Sequence, residues 1–143
     1  MSLYAYQEAG IEFLAKRKRA FLADEMGLGK TVQAIRACDI VGAGHVLVIC
    51  PAAARTNWAR EFRTWSPART VQTIESSKDD ASTEGVVVTS FDLAVRKEGA
   101  FSDHVFDVVI IDEAHFLKNR KSKRTNAILG TGCKGKDGII SRA

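Results

Sequence analysis

An α/β fold with a mostly parallel sheet and helices on both of its faces is what this sequence predicts, and three observations lead there. Short apolar runs of strand length recur at 45–50, 86–90 and 105–112. Segments with apolar residues at helical spacing lie between them. The first run stops at Pro51 and the last at the paired carboxylates Asp112 and Glu113. Runs so continuously apolar are those of strands buried on both faces, a situation that helices on either side of a parallel sheet provide.

The 143 residues suffice for one core and are too few for two ordinary domains. With 45% hydrophobic and 27% charged residues, the composition is globular and excludes a disordered chain. A formal net charge of +4 permits contact with nucleic acid without requiring it. No apolar run nears the roughly 18 residues that span a bilayer. The N-terminal Met1-Ser2-Leu3-Tyr4-Ala5-Tyr6-Gln7 also lacks the apolar core of a secretion signal, so the expected setting is intracellular, away from any membrane. Cys38, Cys50 and Cys133 form no C-x-x-C pair for zinc or redox chemistry, and two of them lie in apolar surroundings as small core residues do.

In chain order, Tyr6, Ala9, Phe13 and Leu14 share one face of a helix over 6–14. It runs into Lys16-Arg17-Lys18-Arg19, a cluster most simply read as a solvated helix end favoured by the dipole. Residues 19–23 read as a short buried strand, after which Val32, Ala34, Ile35 and Cys38 recur at helical spacing. Val41-Gly42-Ala43-Gly44 breaks that helix, and 45–50 is a buried parallel strand. The helix expected over 54–65 puts Trp58, Phe62 and Trp65 on one face, where core packing outweighs base stacking. A weak strand over 70–74, a polar surface loop over 75–85, a strand over 86–90, a helix start over 91–96 and the run at 105–112 follow. Residues 118–124 are strongly basic, and Ile128-Leu129 is the last apolar pair. One domain is therefore expected over 1–129, with 130–143 a Gly- and Lys-rich tail that is disordered or cut short.

Between the strand at 19–23 and the helix that begins near Lys30 stands Asp24-Glu25-Met26-Gly27-Leu28-Gly29-Lys30-Thr31. Gly27 and Gly29 allow a turn tight enough for successive N–H groups to point at one anion, and the helix start adds its positive dipole end. Lys30 supplies a full charge to the β- and γ-phosphates of a nucleotide, and the Thr31 hydroxyl suits the magnesium ion that travels with them. The plainer reading is a glycine-rich turn that happens to precede a lysine, but the strand before it and the helix after it weigh against that. The common form of such a loop has a glycine where this chain has Asp24. The second half of the site is Asp112-Glu113-Ala114-His115, directly after Val108-Val109-Ile110-Ile111, at the carboxyl end of the sheet where open parallel sheets bind ligands. Asp112 can hold magnesium through a water, and Glu113 can orient and deprotonate the water that attacks the γ-phosphorus. On an arbitrary loop such a pair would be a solvated bystander. After four apolar strand residues and with an upstream phosphate loop, Lys30, Asp112 and Glu113 read as catalytic, and Thr31 and Asp112 as metal-holding.

With these motifs in place, the chain resembles the Swi/Snf-type DNA translocases of helicase superfamily two, in which the Asp24 form of the loop is habitual. Leu3-Tyr4-Ala5-Tyr6-Gln7 with Gly10 and Leu14 is similar to that family's adenine-reading N-terminal motif, which implies that Gln7 hydrogen-bonds the base. Pro51 with Asn57-Trp58 and Glu61 is similar to motif Ia, and Thr89-Ser90-Phe91 to motif Ib, both of which touch the DNA backbone in the family. Asp112 to His115, followed by Phe116-Leu117-Lys118-Asn119, resembles motif II and its trailing lysine-asparagine. The resemblance covers about residues 3–119 and implies a three-layer, P-loop (RecA-like) first lobe that uses ATP and Mg2+ and moves along double-stranded DNA. It implies nucleotide contacts from Gln7, Asp24, Glu25, Met26, Gly27, Leu28, Gly29, Lys30, Thr31 and His115. It also implies DNA-backbone contacts from Arg55, Asn57, Trp58, Thr89, Ser90 and Lys118, with Arg120 nearby. The family's next motif, Ser/Thr-Gly-Thr-Pro, does not appear, and Gly130-Thr131-Gly132-Cys133 lacks its proline. Nor does the second lobe with its arginines. The expectation is a first lobe cut short, weak in hydrolysis alone and prone to self-association through its uncovered lobe face. A non-catalytic DNA- or nucleotide-binding module and a strand-separating helicase are the rival readings. The intact set Lys30, Thr31, Asp112 and Glu113 counts against the first of these.

Overall fold

In the computed structural model, which describes residues 2–16, 29–119 and 121–129, β1 (His45–Cys50), β2 (Val71–Thr73), β3 (Gly85–Ser90) and β4 (Val108–Ile111) form one parallel sheet in the order β2-β3-β1-β4. Val46 pairs with Val86 on one side and with Val108 on the other, so β1 is bonded along both edges. The helices are α1 (Ala5–Ala15), α2 (Lys30–Ile40), α3 (Arg55–Trp65, after a 3-10 turn at Ala52–Ala54), α4 (Phe91–Arg96), α5 (Glu98–Ser102) and α6 (Lys123–Leu129). None of the described helices is long and apolar enough to cross a membrane.

Strand periodicity divides the core in two. Val46, Val48 and Cys50 of β1, with Val86 and Val88 of β3, pack against Ile35 and Cys38 of α2 and Trp58 and Phe62 of α3. Leu47, Ile49 and Val87 point the other way, against Phe91, Leu93 and Ala94 of α4, Phe101 of α5 and Ile128 of α6. The sheet is thus parallel and covered on both faces, the α/β arrangement expected from the apolar runs.

The run at 105–112 makes a shorter strand than its apolar content predicts, because Asp107 interrupts it. Val105 is 72% exposed, while Phe106 is buried. The Asp107 carboxylate accepts the backbone N–H groups of Gly44 and His45, each at 2.8 Å, and so caps the start of β1, while its own N–H donates to the His45 carbonyl at 2.8 Å as the first rung before β4. The short helices α5 and α6 were not expected from the pattern. Ser122 starts α6 by accepting the Thr125 N–H at 3.1 Å, and Ala127 and Ile128 bury its inner side. The strand expected at 19–23 and the tail at 130–143 lie outside the described residues.

Two close approaches fix α2. A side chain at Gly10 would collide with the amide oxygen of Gln33, which is buried in α2, so glycine there lets α1 and α2 lie against one another. At its other end, α2 leaves carbonyls that no helical N–H can reach. The Ala43 N–H and Arg69 Nη2 both donate to the Cys38 carbonyl, at 3.0 and 3.2 Å, and Arg69 also donates through Nη1 to the Ala43 carbonyl in the turn beyond α2 and through Nε to Asp39 Oδ1 at 2.9 Å. Ser66 donates to that same carboxylate oxygen at 2.7 Å. Burial pushes the Cys38 thiol beneath this cluster up to about 11, which keeps it protonated at neutral pH.

The Arg69 side chain is only 14% exposed. Removing it takes the Ala43 carbonyl's donor and the closest guanidinium of the Asp39 carboxylate, which keeps Ser66 and Arg36, a loss of about 2 kcal/mol in this half-dry setting. Arg69→Ala is therefore expected to lower the urea unfolding midpoint substantially, whereas Arg60→Ala, on the exposed side of α3, leaves it within error. Equal midpoints for the two variants would remove Arg69 from this role.

Candidate functional site

All four strands send their carboxyl ends to one edge of the sheet, and Thr89, Ser90, Asp112 and Glu113 lie along it. Cys50-Pro51 ends β1, Ser90 ends β3, and Asp112 follows β4. The ladder runs one step past β4, the Asp112 N–H donating to the Ile49 carbonyl at 2.9 Å. The side chain is gripped separately: Trp58 Nε1 donates to Asp112 Oδ2 at 2.9 Å. An indole N–H can only donate, so it suits an ionised carboxylate. The other oxygen, Oδ1, has no protein partner among the described residues. Beneath it, burial pushes the Cys50 thiol up to about 12, the Asp112 charge adding to the effect and the Arg55 guanidinium opposing it.

Glu113 has φ 56° and ψ 49°, the sole positive φ outside glycine among the described residues. That left-handed conformation costs roughly 1–2 kcal/mol for an L-residue. The chain after it explains why the conformation persists. A 3-10 turn at Ala114–Leu117 carries Leu117 back into the core beside Phe91 and Ile128, and Thr125 Oγ1 donates to the Leu117 carbonyl at 3.2 Å. The Glu113 carboxylate is left half-exposed at the edge, with Oε2 at 3.1 Å from His115 Nδ1. The His115 ring stacks on Phe116, with centroids 4.7 Å apart.

Of the expected phosphate loop, Asp24 to Leu28 lie outside the described residues, and Gly29, Lys30 and Thr31 can be placed. Gly29 precedes α2 at φ 72°, and any side chain there would collide with the amide nitrogen of Gln7. Gln7 itself is buried, its Oε1 accepting the Tyr4 N–H at 3.0 Å. The expected base-reading glutamine and the last glycine of the loop are thus in contact. Lys30 and Thr31 are half-buried, and neither side chain has a hydrogen-bond or ion-pair partner among the described residues. Also among the described residues, no three His, Cys, Asp or Glu side chains gather to hold a metal alone. Thr31 offers a hydroxyl and Asp112 a carboxylate oxygen without a protein partner, the donor types that suit a hard cation which keeps its waters.

The residues expected to face DNA separate into two groups. Asn57 and Lys118 are exposed. Arg55 is partly buried, donating to the carbonyls of Ala52 at 3.2 Å and Ile74 at 2.7 Å, with Glu75 at 3.6 Å, so it also ties α3 to the end of β2. Trp58, Thr89 and Ser90 need correction as surface contacts, for all three are buried. Thr89 Oγ1 donates to the Ser90 carbonyl at 3.4 Å, and Ser90 Oγ accepts the Leu93 N–H at 3.2 Å, capping α4. Their side chains brace the edge from below. Arg120 lies outside the described residues. Sequence reasoning missed the Trp58–Asp112 bond, whose partners are 54 residues apart and carry no shared linear signal. It also missed the turn at Glu113, which nothing in the residue type announces.

Comparison with known proteins bears on all of this. The SNF2-related domain family matches residues 6–134. The chain is 38% identical over 133 residues to SWI/SNF-related matrix-associated actin-dependent regulator of chromatin subfamily A-like protein 1 of Xenopus tropicalis, covering 90% of this chain and 14% of that protein. It is 35% identical over 144 residues to the DNA excision repair protein ERCC-6-like of Bos taurus, covering 85% and 12%. It is 33% identical over 148 residues to Helicase SWR1 of Gibberella zeae, covering 90% and 9%. The chain thus spans 14% or less of the length of these relatives. Among solved structures, it is similar to the Sulfolobus solfataricus SWI2/SNF2 ATPase core in complex with dsDNA, with a TM-score of 0.77 and 28% identity over 87% of this chain and 28% of that one. The family match takes in nearly every described residue, from Tyr6 in α1 through Leu129 in α6, and by it the chain belongs to the SNF2-related domain family.

Proposed function

We propose that this chain is the ATP-binding lobe of an ATP-dependent double-stranded DNA translocase. The observation that carries the reading is the contact between Gln7 and Gly29 at the start of α2, together with the acidic pair Asp112 and Glu113 at the carboxyl end of β4. In this reading the residues at 24–29 and the N–H groups opening α2 cradle the phosphates, and Lys30 sets its ammonium against the β- and γ-phosphates. Gln7 reads the adenine edge. Thr31 and Asp112 would hold Mg2+, which when bound offsets the phosphate charge. Glu113 takes the proton of the attacking water, and His115, 3.1 Å from its carboxylate, restrains where that carboxylate points.

On the DNA side the contact set becomes Arg55, Asn57 and Lys118 against phosphates, with Trp58, Thr89 and Ser90 as buried support. Support comes from the similar Sulfolobus solfataricus SWI2/SNF2 ATPase core, solved in complex with dsDNA. In a complete enzyme, a second lobe closing over the same edge would add arginine charge worth on the order of 10³ to 10⁵ in rate. When not so closed, the edge is a surface for self-association. An intracellular setting suits a protein that works on DNA.

Lys30→Ala is expected to remove most Mg·ATP binding in calorimetry, because it deletes the full positive charge of the cradle. Equal affinity for the two forms would show that the phosphates are not held there. Glu113→Gln is expected to keep the binding and to lower hydrolysis by the full-length protein about 10²- to 10⁴-fold, the usual worth of a general base. Phosphate release at an unchanged rate would take Glu113 out of the chemistry.

For DNA, fluorescence anisotropy with two unrelated duplexes should give equal, weak affinities. Neutralising about two phosphates predicts a roughly tenfold loss between about 50 and 200 mM salt. A strong preference for one duplex would mean that base edges are read, against this proposal.

A further inference from the structure

Trp58 is 4% exposed, and its indole is fixed by packing: it sits in the buried cluster with Phe62, Cys50 and Val48, its ring centroid 6.3 Å from that of Phe62. The edge of the ring that is not enclosed in hydrocarbon is the one carrying Nε1, and it meets Asp112 Oδ2 at 2.9 Å. Asp112 is therefore held twice, through its backbone N–H by Ile49 and through its carboxylate by Trp58. The neighbouring Arg55 guanidinium is engaged instead with Ala52, Ile74 and Glu75. With Oδ2 bonded to the indole, rotation of the carboxylate is restrained and Oδ1 is left without a protein partner among the described residues.

From this we infer that Trp58 is a positioning residue for Asp112: its N–H sets which carboxylate oxygen faces the cation that accompanies the nucleotide. The inference rests on the nucleotide reading above and adds a residue to it. The plainer role of such a bond is to satisfy a buried indole donor. The two roles differ in what they leave behind. A bond that only satisfies the indole changes stability and treats nucleotide the same with and without magnesium. A bond that positions Asp112 changes only the part of nucleotide affinity that magnesium supplies.

The test is calorimetry of the chain with ADP, once with excess Mg2+ and once with EDTA. Trp58→Phe keeps a ring in the core and deletes the N–H. A second form carries 3-benzothienylalanine at position 58, which replaces the N–H by sulfur with the ring system otherwise the same size, so packing and hydrogen bonding are separated even where phenylalanine unfolds the chain. The Mg·ADP affinity is expected to fall about tenfold, the scale of one hydrogen bond to a charged group, and the affinity in EDTA to stay constant. In an Asp112→Ala background the change at 58 should add nothing. Equal losses with and without magnesium, or no loss in either, would overturn the inference. If the unaltered chain binds no ADP under either condition, the nucleotide reading falls and takes this one with it. If it binds ADP equally with and without magnesium, only the positioning role is lost.

Discussion

The position of β1 constrains everything else. It is bonded to β3 on one edge and β4 on the other, and Val46 to Cys50 have no exposed surface on either face. A strand so enclosed can send its chain out only at its ends. The chain leaving β1 goes to α3, which packs with Val46 and Val48, whereas the chain leaving β4 turns to Leu117, which packs with Leu47 and Ile49. Adjacent parallel strands whose outgoing chains part to opposite faces leave a crevice between them at their carboxyl ends. Asp112 stands at that crevice, and the start of α2 lies on the α3 side of the sheet.

The unfavourable backbone at Glu113 sits at the same place, and the small helix α6 has its physical reason there. Arg124 of α6 lies 5.4 Å above the rings of both Phe91 and Phe116 and pairs with Asp92 of α4 at 3.2 Å. Phe91 and Phe116 are themselves in contact, with centroids 5.4 Å apart. Together with Leu117, these contacts hold the turn closed from one face of the sheet. Burial of one leucine alone contributes about 1.5–3 kcal/mol, which already matches the cost of the left-handed residue. Strain is thus kept at the acidic edge and offset by packing a turn away.

How much of this could be read from the residues depends on how local its cause is. Strands β1 and β3 were legible because an unbroken apolar run at strand length has few other meanings, and α3 because Trp58, Phe62 and Trp65 recur at helical spacing. The start of β4 was misjudged because Val105 and Phe106 look like strand residues; β1 begins only at His45, where Asp107 meets it, and the Val105 carbonyl faces the His45 ring at 3.1 Å, contacts some sixty residues away in sequence. Asp112 and Glu113 were legible as an acidic pair after a strand, but the conformation of Glu113 was not, since it follows from where Leu117 must be buried. Thr89 and Ser90 misled for a different reason. They were expected at DNA from the resemblance to motif Ib, which says nothing of side-chain burial, and Thr89 is wholly buried while Ser90 Oγ caps a helix.

Trp58 shows why an apolar stripe should not be taken as only apolar. Arg55, Trp58, Phe62 and Trp65 lie along one side of α3 at spacings of three, four and three residues, which is a continuous helical stripe. Phe62 anchors its middle with no exposed surface. The stripe's first two members then end in polar groups, and both are aimed at the sheet edge: Arg55 to the carbonyl that follows β2, Trp58 to the carboxylate that follows β4. A helix rises about 1.5 Å per residue, and a hydrogen bond of 2.9 Å is already weak once lengthened by half an ångström. Asn57, exposed between those two residues, is on the same rigid turn. Through Trp58, α3 is thus bonded to the acidic edge as well as packed on the sheet.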